Sequence, residues 1–113
     1  MNAAQQELVK VLHEARRLLA LPGNNFDWSS WKDAASAFAE MDDLIANIER
    51  GRLPDRITIS VLFAPTGPIQ EVSLSSGWAD EFLILADRCD VAVETAYDSS
   101  WWQRLVRRIL GHK

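Results

Sequence analysis

Apolar positions along this chain follow two rhythms. Over residues 3–20, Leu8, Val11, Leu12, Ala15, Leu18 and Leu19 recur at three- and four-residue steps. That spacing predicts a helix with one stripe turned to a core. Leu21-Pro22-Gly23 stops it, since proline disfavours helix in the residue before it and glycine suits a helix end. Residues 31–50 repeat the pattern with Trp31, Ala34, Ala35, Phe38, Met41, Leu44, Ile45 and Ile48, and Gly51 ends it. Between the two lies a polar loop, Asn24 to Trp31, in which Ser29 or Ser30 is the expected helix cap.

The rhythm changes between Arg56 and Trp78. Ile57, Ile59, Val61 and Phe63 alternate with Thr58, Ser60 and Leu62, the period of a half-buried strand. A second run, Ile69 to Leu74, sets Val72 and Leu74 on one face against Ile69, Glu71 and Ser73 on the other. Ala64-Pro65-Thr66-Gly67-Pro68 separates the runs with turn residues, so the stretch predicts a β-hairpin. A lone hairpin is marginal in water and leaves free edges. Helices on one face and edge pairing into a homodimer are the expected answers, with Val91–Ala96 as an alternative third strand.

Trp78, Phe82, Leu85, Ala86, Cys89, Val93 and Tyr97 restore helical spacing and predict one helix from Gly77 to about Tyr97, with Ser75 or Ser76 as its cap. Phe82-Leu83-Ile84-Leu85 is apolar all round, which places this element deep in the fold. A last helix, capped at Ser100, runs to about Leu110. The fold class expected is α+β, a single domain over residues 1–113 in the order α-α-β-β-α-α, with an antiparallel hairpin covered on one face by helices.

Charge adds an asymmetry. The chain carries a net −4, yet residues 99–113 hold Arg104, Arg107, Arg108 and Lys113 and no acid, leaving −8 on the rest. An acidic body disfavours free nucleic acid, which is bound mainly through Lys and Arg. With Trp101 and Trp102, the basic segment has the make-up of an amphipathic helix that docks on acidic groups or lies on a membrane surface. No apolar run approaches the length of a bilayer span, no secretory signal is apparent, and the single cysteine, Cys89, reads as a buried core residue. A cytoplasmic location is expected.

Candidate chemistry is sparse. His13-Glu14 opens a zinc-protease pattern, but Arg17 stands where the second histidine belongs. Ser75 and Ser76 precede Gly77 at the end of a run, without the first glycine of G-x-S-x-G, and only His13 and His112 exist as bases. Gly67 lacks the G-K-[S/T] of a phosphate loop. No catalytic residue, metal site or cofactor is expected.

The function expected is therefore non-enzymatic: a protein-binding or regulatory domain, a homodimer, in one version an inhibitor or immunity-type acidic binder. Expected contacts are Asp27, Trp28 and Ser29 in the first loop, Pro65, Thr66 and Gly67 in the turn, and the polar hairpin face of Thr58, Ser60, Glu71 and Ser73. The alternatives are a membrane-surface protein using Trp101, Trp102, Arg104, Arg107 and Arg108, and an enzyme with a site between Ser75 and Glu81.

Overall fold

A computed structural model describes residues 1–98 and 109. Its elements are helices throughout: α1 (Ala3–Leu19), α2 (Ala34–Glu49), α3 (Arg56–Leu62), α4 (Pro68–Ser76) and α5 (Ala79–Val93), the last continued by a π-helical turn at Glu94–Asp98. The expected residues of the terminal segment, Trp101, Trp102, Arg104, Arg107 and Arg108, lie outside the described residues.

The hairpin expected over Arg56–Trp78 is replaced by α3, a tight turn and α4, so the α+β class is corrected to all-helical for the described residues. Burial shows why. Ile59, Leu62 and Phe63 point inward on α3, a step of three and then one, while Ile57 is 67% exposed and Val61 is exposed with it. On α4 the inward residues are Ile69, Val72 and Ser73, and Leu74 faces out. A two-residue alternation and a helical stripe coexist in these short runs, and packing selects the helical one. Val91–Ala96 is helical as well. Among the described residues there is no sheet and no strand edge, so edge pairing as a route to a dimer falls with the hairpin.

The turn chemistry takes on a different meaning. Pro68 stands at the first position of α4, where its missing N–H costs nothing, and Gly67 precedes it as the cap. Gly67 has an ordinary φ of −83°, yet a Cβ there would lie 2.3 Å from the Val61 carbonyl oxygen. Close backbone approach demands this glycine. Gly77, by contrast, ends α4 in the left-handed region at φ 89°, the usual role of a C-terminal glycine.

α1 follows the stripe read from the sequence, and α2 follows it from Met41 on, whereas in its first turn Ala35 is exposed and Ala37 is buried instead, and Trp31 precedes the helix. α1 buries Leu8, Val11, Leu12, Ala15, Leu18 and Leu19, and α2 buries Met41, Leu44, Ile45 and Ile48. Asp33, rather than a serine, caps α2, accepting a bond from the Ser36 N–H at 2.8 Å. α1 is the central element and packs against both α2 and α5. Arg16 ties α1 to α2 through Asp42 at 2.7 Å and lies over the Phe38 ring at 4.6 Å. Arg88 ties α5 to α1 through Glu7 and Glu14.

The core is one cluster to which every helix contributes, from Leu8 on α1 to Val93 on α5. Trp31 and Trp78 are buried in it, and each indole N–H finds an acceptor, Glu40 Oε1 at 3.1 Å and Asn24 Oδ1 at 2.9 Å. Along α5 the buried set is Phe82, Leu85, Cys89, Ala92 and Val93. At its end the Thr95 hydroxyl donates to the Val91 carbonyl, a local bond that competes with the α-helical ladder where the π turn begins.

Candidate interaction surface

The first loop is fastened to α4 along its length. The Asn25 N–H donates to Ser76 Oγ at 2.9 Å, the Ser29 hydroxyl to the Pro68 carbonyl at 3.2 Å, and the Ser30 N–H to Glu71 Oε1 at 3.2 Å. Two expected contact regions, the Asp27–Trp31 loop and the Pro65–Pro68 turn, are therefore joined on one side of the molecule, with Glu71 bonded to the same loop. Trp28 stands out of that loop at 74% exposure, a large amphipathic ring on a braced backbone. Asp27 is exposed beside it, and Ser29 is held inward by its bonds to Pro68 and Trp31.

The remaining candidates scatter once the hairpin is gone. Thr58 and Ser60 are exposed on α3, and Pro65 and Thr66 are exposed in the turn. Gly67 is buried. Glu71 is half-buried and occupied with Ser30, and Ser73 is wholly buried, its hydroxyl donating to the Gln70 carbonyl at 2.7 Å. No shared polar face unites Thr58, Ser60, Glu71 and Ser73. Ser75 and Ser76 end α4 rather than cap α5, whose cap is Trp78.

A groove the sequence reading missed lies between α3 and α5. Phe63 at the end of α3 stacks on Phe82 near the start of α5, with ring centroids 6.5 Å apart. At the other end the Tyr97 hydroxyl donates to the carbonyl of Pro54, just before α3. The two helices therefore run antiparallel, and between them opens a cavity of about 380 Å³ lined by Ser60, Phe63, Pro65, Leu83, Asp87 and Asp90. Its floor is aromatic and its rim acidic. Neither Asp87 nor Asp90 forms an ion pair among the described residues.

Of the exposed apolar side chains on these two helices, Leu83 lines the groove and Ile84 lines the smaller cavity on the α1 side, while Ile57 and Val61 on α3 and Val91 on α5 are exposed outside both linings. The expectation that the Phe82–Leu85 run is deeply buried is corrected: Phe82 and Leu85 face the core, while Leu83 and Ile84 face solvent. A four-residue apolar run on a surface helix must expose half of itself, and that signal was present in the sequence.

Cys89 is buried and its thiol is pushed up to about 12 by desolvation, with the nearby Asp90 charge adding to the effect, which disfavours the thiolate. Among the described residues no three metal-ligating side chains converge, and no helix is long and apolar enough to cross a membrane. A smaller cavity of about 160 Å³ between α1 and α5 has Arg88 on its wall, already engaged by Glu14. No family model, curated protein or solved structure matches this chain.

Proposed function

We propose that this chain is a non-catalytic protein-interaction domain of the cytoplasm whose contact surface is the α3–α5 groove. One observation carries the reading: α3 and α5 border a cavity that has Phe63 and Phe82 in its lining, the exposed Leu83 on its wall and Asp87 and Asp90 beside it. An apolar-lined opening bordered by charge is the form a contact site commonly takes. Recognition of an amphipathic helix in a groove uses this combination, apolar pockets for the stripe and charges at the edge for orientation. The acidic rim selects a basic partner segment.

Capture from a lysate of the source cells tests it, with the wild type beside the double variant Val61→Asp, Leu83→Asp. Both positions are exposed, so the fold, checked by circular dichroism, is expected to persist. A stoichiometric protein retained by the wild type and lost from the variant is the expected outcome. Equal retention by both proteins removes the groove from the reading.

A further inference from the structure

Building on that reading of the groove, we infer that the partner protein anchors itself there through an arginine side chain, its flat cation set on the aromatic lining and bonded to Asp87 and Asp90. The make-up of the lining is the first argument. Its polar side chains are Ser60, Gln70, Asp87 and Asp90, all able to accept a hydrogen bond, and it contains no lysine, arginine or histidine. Among the described residues these four side chains make no hydrogen bond or ion pair with the rest of the protein. What complements such a lining is a group that only donates and carries positive charge.

The spacing of the two acids separates arginine from lysine. Asp87 and Asp90 stand three residues apart on α5, and side chains at that spacing are neighbours on a helix face. A guanidinium spreads its N–H donors around a rigid plane and can hold two carboxylates by different edges, while an ammonium is a compact point charge. Phe63 and Phe82 lie within 9° of parallel in the same lining and supply aromatic surface on which that plane can stack.

The fold already holds a filled example of this arrangement. Arg16 of α1 lies over the Phe38 ring at 4.6 Å while its Nε and Nη2 donate to the two carboxylate oxygens of Asp42 at 2.7 and 3.2 Å. Phe38 and Asp42 both belong to α2, and the cation reaches them from another helix. The groove repeats the ring and the carboxylates, Phe82 with Asp87 and Asp90 on α5, and leaves the cation to come from the partner.

Binding of capped single amino acids to the full-length chain, followed by backbone amide NMR shifts, tests this. The probes are the N-acetyl methylamides of arginine, lysine and citrulline, which differ only in side chain. Citrulline keeps the planar shape of arginine without its charge. The arginine probe is expected to shift the amides of the lining residues saturably, with a Kd at least about fivefold below that of the lysine probe, and the citrulline probe to leave them in place. The variant Asp87→Asn, Asp90→Asn, changed only at exposed positions and checked by circular dichroism, is expected to lose the response.

No response to the arginine probe, a lysine or citrulline probe that binds as well, or a response that survives in the asparagine variant overturns the arginine anchor. Lysate capture separates that failure from failure of the groove. A protein lost from the Val61→Asp, Leu83→Asp variant but held by the asparagine variant keeps the groove and removes the anchor. A chain that binds the arginine probe and captures no protein overturns the partner, leaving a free guanidinium compound as the ligand.

Discussion

Replacing Ile59 with aspartate is expected to cost more than about 4 kcal/mol and unfold most of the population, while the same change at Ile57 leaves the protein folded. Ile59 is fully buried and Ile57 is 67% exposed, although the two are only two residues apart. A carboxylate at 59 would lose its hydration in an apolar core, or take up a proton to avoid doing so, and would also forfeit the burial of the isoleucine. Domains of this size have about 5–15 kcal/mol to lose. At Ile57 the side chain meets water in both states, and the change falls in the range of about half a kcal/mol usual for surface positions. Urea unfolding followed by circular dichroism measures both. In a strand, residues 57 and 59 would lie on one face and suffer alike, so equal losses would overturn α3.

Gly67→Ala is expected to destabilise by about 3 kcal/mol, a large effect for one methyl group. The new Cβ would meet the Val61 carbonyl oxygen at 2.3 Å, and the carbonyl oxygens of Leu62 and Ala64 at 3.0 and 3.1 Å. All three neighbours are backbone, and two of them belong to the last turn of α3, so no side chain can swing aside to relieve the contact. The φ of −83° suits alanine, which isolates steric approach from conformational preference. The same substitution at Gly67 in a loose surface turn would be neutral or slightly stabilising through the unfolded chain. A denaturation midpoint equal to that of the wild type would show that α3 and α4 do not approach as described.

How far the sequence discloses this fold depends on element length. α1, α2 and α5 run for 17, 16 and 15 residues, long enough for a stripe to repeat several times and exclude a period of two. α3 and α4 have seven and nine, and within seven residues Ile57, Ile59 and Val61 make a persuasive alternation. Their β-branched side chains strengthen the strand reading. What decides against it is the coincidence of Ile59, Leu62 and Phe63 on the side facing α5, a tertiary fact. Pro68 was equally ambiguous: it fits a hairpin turn and the first position of a helix, and the structure uses the second.

The candidate surface divides in the same way. Trp28 in a polar loop, beside Asp27 and Ser29, was open to reading as a contact residue, and the structure leaves it exposed. The groove was not, because it exists only through the antiparallel pairing of α3 with α5, two elements separated by the whole of α4. In Phe82-Leu83-Ile84-Leu85 the unbroken apolar run points to depth, yet on a surface helix it leaves Leu83 and Ile84 in solvent.

The burial of Cys89 gives the protein a built-in clock. It holds the chain's one thiol, and desolvation pushes that thiol up to about 12, so the thiolate is scarce while the residue stays buried. Alkylating reagents attack the thiolate, so modification in the folded state must wait for α5 to leave its seat. The rate at which a maleimide labels the chain therefore counts openings of the molecule, locally or as a whole, without any engineered probe. Applied inside living cells, the same reaction would tell whether an occupied groove slows that opening.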